Sequence, residues 1–177
     1  MVLFAKLLVL ALTAAATPIL RRDAATVEND ITQQIGPQIA TLNSDVNGFP
    51  ASGSTGAENI NSDFGNLIVV INHAISDIKA AGSFGTLSGT SILAAVQELL
   101  PSLSDTLVAI EAQEPSWAAI PGGTALVLKD LQSLNTVFYT FANALIASEP
   151  ILLKAAAVAV QAQLSTDFDT AIAAYSV

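Results

Sequence analysis

A chain of 177 residues carries 15 acidic side chains against 6 Lys and Arg, a net charge of −9, and no Cys. That balance argues against nucleic acid and against electrostatic docking on anionic lipid headgroups, since both need basic partners. Without Cys there is no disulfide framework, thiol nucleophile or thiolate metal site, so apolar packing alone must hold the fold.

One basic residue, Lys6, precedes the short apolar run Leu7 to Ala16, and Ala14-Ala15-Ala16 supplies the small residues of a signal-peptidase site. The run falls short of the roughly 20 apolar residues that a membrane span needs. Residues 1–16 are therefore expected to be a secretory signal peptide. Residues 17–22, ending in the dibasic pair Arg21-Arg22, are expected to be a short propeptide. The domain expected over 23–177 keeps Lys79, Lys129 and Lys154 against all the acids, and no transmembrane segment is expected in it. Its length suits one domain with a real core. The sequence is 52% hydrophobic and only 12% charged, an excess of apolar residues that invites a use besides packing.

Apolar residues recurring every three or four positions predict helices. The first spans about Ala25 to Val46, with Val27, Ile31, Ile35, Ile39, Leu42 and Val46 on one face. Gly36-Pro37 predicts a kink or break inside it, because proline lacks a backbone donor and disfavours helix at the residue before it. Residues 51–56 read as a loop. The second helix spans about Ala57 to Ala80 and is stopped by Gly82. Its run Leu67-Ile68-Val69-Val70-Ile71 is apolar all round, which predicts the central, most buried member of a bundle. The third helix is expected to start after a cap at Thr90 or Ser91 and to continue through Pro101 to about Glu114, with Ile92, Val96, Leu99, Leu103, Leu107 and Ile110 inward. Residues 115–123, which carry the single Trp, read as the longest loop, with Trp117 expected to cap the bundle end rather than to stand exposed. Thr124 is expected to cap the fourth helix, with Val127, Leu131, Leu134, Phe138, Phe141 and Leu145 inward. Ser148-Glu149-Pro150 is expected to start the fifth, with Ile151, Ala155, Val158, Ala162, Phe168, Ile172 and Tyr175 inward. No stretch alternates long enough to be a strand. The fold class is thus all-α, a single domain of roughly five antiparallel helices.

Chemistry-bearing residues are few. His73, the single histidine, is expected to project away from the apolar face of the second helix, beside Asp77 one turn on. A solvent-facing pair worth a few tenths of a kcal/mol explains that spacing. A metal would need a third ligand that nothing in the sequence nominates, so no metal site is expected. A hydrolase built on Ser76, His73 and Asp77 is the weakest reading, and no enzyme and no cofactor are expected.

The leader, the dibasic Arg21-Arg22, the start Asp23-Ala24-Ala25-Thr26-Val27 with Asp30-Ile31, and Ile/Val/Leu-rich helices without Cys together resemble the fungal hydrophobic surface-binding proteins. The related cell-wall galactomannoproteins share that domain. The resemblance implies a secreted five-helix bundle. One branch of the family encloses fatty acids between helices, and another adsorbs to hydrophobic solids and recruits a secreted hydrolase. A Ser/Thr-rich stalk and an anchor signal, found in wall-attached members, are not recognised, so any wall association is expected to be loose.

Periodicity alone favours a packed core, while the resemblance makes a lipid cavity the better expectation. The partner expected is then a fatty acid or similar lipid, with a hydrophobic solid surface and a secreted hydrolase as the alternative. The expected walls are Phe64, Leu67, Ile71 and Ile75 from the second helix and Leu103 and Leu107 from the third. The fourth helix would add Leu131, Phe138 and Phe141, and the fifth Val158, Phe168 and Ile172. Lys154 is the expected partner of a lipid carboxylate.

Overall fold

In a computed structural model the described residues are 24–176, and all regular structure among them is helical. Residues 1–23, with the expected signal peptide and propeptide, lie outside the described residues, as does Val177. Helix α1 covers 24–48 and contains a π-helical stretch, Asp30–Ile35, before continuing as Gly36–Gly48. Helix α2 is Gly53–Ala81, α3 Thr86–Ala112, α4 the short Glu114–Ala118, α5 Gly123–Ser148 and α6 Lys154–Ala174.

The local sequence explains most boundaries. The interruption expected at Gly36-Pro37 is resolved as a widened turn rather than a break: Gly36 N–H donates to the Ile31 carbonyl, five residues back. A proline ring crowds the carbonyl four residues before it, and a wider turn makes room for it. Gly82 stops α2 with φ +71, a conformation that a side chain would strain. Helix α3 begins a turn earlier than Thr90, because the Thr90 hydroxyl donates back to the Thr86 carbonyl inside the helix instead of capping it. It runs uninterrupted across Pro101. At the other end of α5, Gly122 and not Thr124 is the N-cap.

The fifth expected helix is the one that the structure moves. Glu149 precedes a proline and is extended, with ψ 143, so α5 ends at Ser148, a turn follows, and α6 starts only at Lys154. The inward stripe of α6 is Ala157, Val160, Leu164, Phe168, Ala171 and Tyr175, a regular three-or-four spacing. Val158, expected inward, is therefore 49% exposed, and Ile151 is 85% exposed. Ala155 and Ala162 are also exposed, and Ile172 is partly buried against the core. In α3 the stripe likewise takes Leu100, with Leu99 only partly buried.

The five long helices pack in the order α1–α2–α5–α6–α3 and back to α1, a closed ring around one apolar core. Consecutive helices reverse direction. The ring also closes through neighbours that run the same way: Tyr175 at the end of α6 donates its hydroxyl to the Ile110 carbonyl at the end of α3, 2.6 Å away. The α1–α2 and α5–α6 neighbours are antiparallel, as the Gln38–Asp63 and Gln161–Asn143 hydrogen bonds show. A ring has no central member, which corrects the expectation for α2. Leu67 and Ile71 are fully buried on its inner side, but Val69 is 67% exposed on its outer side. Among the described residues α3 alone is long and apolar enough to cross a membrane, and its apolar stripe is spent on α1 and α6, as in a core helix.

Candidate functional site

The ring has two ends. At one, the α1–α2 turn meets the α3–α5 connection. Residues expected to be a loop there form α4, whose Trp117 is buried and stacked on Phe49, ring centroids 4.6 Å apart. Trp117 thus closes the bundle end, as expected. Outside this pair lies an apolar groove of about 530 Å³ lined by Phe49, Pro50, Ala57, Ala119 and Ile120, with Ser54, Glu58 and Ser116 as its polar edge. A second hollow of about 190 Å³ shares Ala57, Glu58 and Ile120 with it and extends toward Trp117, Pro121 and Leu126. Concave, mostly apolar surfaces with a few polar groups are the usual form of ligand sites. A third groove, about 390 Å³ and more polar, runs along the α3–α6 seam by Gln97, Pro101, Ala156 and Gln163.

The structure brings most of the expected wall residues together. Phe64, Leu67, Ile71 and Ile75 of α2, Leu103 and Leu107 of α3, Leu131, Phe138 and Phe141 of α5 and Phe168 of α6 are all buried in the shared core. Phe138 and Phe168 meet across α5 and α6 at 5.5 Å. These side chains fill the axis of the ring, while the grooves are lined by other residues. The groove at the Trp117 end was missed because its walls come from the α1–α2 turn, the first turn of α2, and α4 with the two residues after it, segments without an apolar stripe. Lys154 is exposed at the start of α6, at the end of the bundle away from this groove.

At that opposite end the α2–α3 loop packs on the α5–α6 turn, tied by Phe84 N–H donating to the Ser148 carbonyl at 2.8 Å. Leu87, Ile151 and Leu152 stand out from it at 83%, 85% and 80% exposure. Beneath them Glu149 is buried, and among the described residues neither carboxylate oxygen has a hydrogen-bond partner. Burial raises its pKa.

His73 does project away from the core, with its side chain 60% exposed, but the fold gives it a second carboxylate. Its Nδ1 lies 3.4 Å from Asp77 Oδ2 and 3.6 Å from Oδ1 of Asp30, which reaches across from α1. Asp30 is buried and sits at the start of the π-helical stretch. Its pKa is pushed up to about 6, first by burial and then by the neighbouring Asp77 carboxylate, while His73 opposes the shift. Its Oδ1 accepts from Gln34 Nε2 at 2.6 Å, and its buried Oδ2 has no hydrogen-bond partner among the described residues. Asp30 falls out of the helix-one stripe, so no sequence pattern linked it to His73. Further along the same seam, Asp63 accepts from Gln38 at 3.2 Å, and burial followed by Asp45 raises its pKa.

Comparison with known proteins places this fold. The crystal structure of AFMP4P in complex with palmitic acid matches with TM-score 0.82 and 27% identity, covering 86% of this chain and 99% of that one. Ligand binding domain 1 of the Penicillium marneffei MP1 protein, complexed with arachidonic acids, matches with TM-score 0.80 and 15% identity over 87% of this chain and 99% of the domain. Domain 2 of the same protein, complexed with multiple arachidonic acids, gives 0.78 and 10% identity over 86% and 96%. No sequence among curated proteins matches significantly. The family described as hydrophobic surface binding protein A matches residues 24–147, from α1 nearly to the end of α5. The chain belongs to the hydrophobic surface binding protein A family.

Proposed function

We propose that this chain is a secreted lipid-binding protein, without catalytic activity of its own, that holds the acyl chain of a fatty acid between its helices. The observation that carries the reading is the closed ring of five helices around an unbroken apolar axis, in a fold shared with a protein solved with palmitic acid. Each methylene moved from water into that interior contributes about 0.8 kcal/mol. The acyl chain enters by the groove at the Trp117 end, displacing the Phe49–Trp117 stack and parting the side chains that fill the axis along α2, α5 and α6. Phe64, Leu67, Leu131, Phe138 and Phe168 are its principal walls. The carboxylate stays at the mouth, near the hydroxyls of Ser54 and Ser116, because Lys154 is at the far end. Secretion is supported by the signal-like composition of residues 1–16.

Native mass spectrometry of freshly purified protein, followed by thermal melts with palmitic acid, tests this. A mass increment matching a fatty acid and a rise in melting temperature are expected. Bare polypeptide with no thermal shift would sink the proposal.

A second reading, adsorption to hydrophobic solids with recruitment of a secreted hydrolase, is favoured by the exposed cluster Leu87, Ile151 and Leu152 at the other end of the bundle. Adsorption to a polyester film should fall when all three become Ser. Recruitment by the acidic surface should weaken with salt, since exposed charges are screened. Salt-insensitive recruitment would count against it. As for catalysis, an esterase activity abolished by His73→Ala would overturn the non-enzymatic assignment.

A further inference from the structure

We propose that Asp30, His73 and Asp77 form a binding site for a divalent first-row transition ion of the Zn²⁺ type, clipping α1 to α2. Two of the three residues share a face of α2 by their spacing of one turn, and the third arrives from a different helix, so the site exists only in the folded chain. One donor atom from each residue lies within 4.8 Å of the others.

The distances leave room for an ion between the three side chains. An N–H donating to a carboxylate is normally found at about 2.7–2.9 Å. The His73 Nδ1 contacts, 3.4 Å to Asp77 and 3.6 Å to Asp30, are longer than that and lie within ion-pair range. Ligands about 2.0–2.2 Å from a tetrahedral Zn²⁺ stand about 3.3–3.6 Å from one another, and the two His73 contacts, 3.4 Å and 3.6 Å, fall there.

The surroundings point the same way. The Asp30 side chain is 3% exposed and turns its Oδ1 toward His73, while its Oδ2 has no hydrogen-bond partner among the described residues. A buried carboxylate left half-satisfied is costly, and a cation bound to it offsets part of that cost. Gln34 donates to Oδ1 of Asp30 from one turn on, the kind of outer support that orients a ligating carboxylate. The π-helical turn starts at Asp30, and such turns are frequent at functional sites. His73 is 60% exposed, so solvent can complete the coordination shell and the ion has an entry path. One imidazole with two carboxylates suits Zn²⁺ over Ca²⁺, which takes six or more oxygens, and over Cu(I), which takes thiolates or thioethers.

Isothermal titration of the metal-stripped full chain with ZnCl₂ tests the site, with CaCl₂ as comparison. A single saturable Zn²⁺ site is expected, with a rise in melting temperature and no matching site for Ca²⁺. Asp30→Asn and His73→Ala should each weaken binding by roughly tenfold or more. Asp105→Asn, exposed on α3, should leave it unchanged. His73→Ala alters a solvent-facing side chain, so it decides the matter should Asp30→Asn disturb the fold. No saturable binding, equal binding of Ca²⁺, or a Zn²⁺ affinity indifferent to His73→Ala would overturn the proposal.

Discussion

Trp117 and Phe49 stack with ring centroids 4.6 Å apart and planes 26° apart, and both are buried although they come from the two connections that close one end of the bundle. The pair joins α4 to the α1–α2 turn and separates the apolar core from the groove outside. Aromatic stacking of this kind contributes about 0.5–1.5 kcal/mol beyond the burial of the rings.

Removing that lid should cost stability and speed lipid entry together. Trp117→Ala is expected to destabilise by about 3–5 kcal/mol, the range for deleting a buried aromatic side chain. Chemical denaturation measures the first effect. Stopped-flow uptake of a fluorescent fatty acid measures the second, and unchanged uptake would show that lipid enters elsewhere, with the α3–α6 seam the next candidate.

Stability should increase as the solution is acidified from neutral pH. Glu149 and Asp63 both have pKa values raised by burial above their ordinary 4.5 and 3.8. The native state then holds these protons more tightly than the unfolded chain. Their contribution is fully present below the ordinary values and is lost as pH rises through the raised native ones. Relief of self-repulsion in a chain of net charge −9 acts in the same direction. Urea melts at neutral pH and near pH 5 measure the gain. Glu149→Gln should be more stable than the parent at neutral pH and less dependent on pH.

The hydrogen bond from Tyr175 to Ile110 fastens the end of α6 to α3. Tyr175→Phe keeps the ring and removes only the donor, and the Ile110 carbonyl still accepts from Gln113 N–H at 3.1 Å. The loss should therefore stay near about 0.5–1.5 kcal/mol, the net value of one hydrogen bond. Hydrogen exchange should report faster opening of the last turns of α6.

Two valines two positions apart on α6 test its register. Val158 is 49% exposed and Val160 is 4% exposed. Val158→Ser should change stability by no more than about 0.5 kcal/mol, and Val160→Ser should cost about 1–3 kcal/mol. The reverse order in thermal melts would restore the register first expected from Pro150.

Local pattern decided a great deal here. The stripes through Val27 to Val46, Phe64 to Ile78 and Val127 to Leu145 are set by side-chain spacing, and burial follows that spacing almost residue for residue. Gly82 and Pro37 acted through backbone sterics, which need no tertiary partner. The resemblance to the surface-binding family was likewise legible in the pattern, and the family match over residues 24–147 agrees with it. In α6 the spacing was ambiguous, because an Ala-rich helix offers apolar residues on every side.

What only the tertiary structure decided is which faces meet. An all-round apolar run cannot say whether its helix is central or one stave of a ring, and the five-helix ring turned Val69 outward. The groove beside Trp117 is assembled from connections, where no periodicity exists to be read. Asp30 and His73 are far apart along the chain and lie on different helices, and the packing of α1 against α2 sets their 3.6 Å approach. Sequence spacing fixes directions within a helix, whereas proximity between helices depends on packing that spacing does not encode.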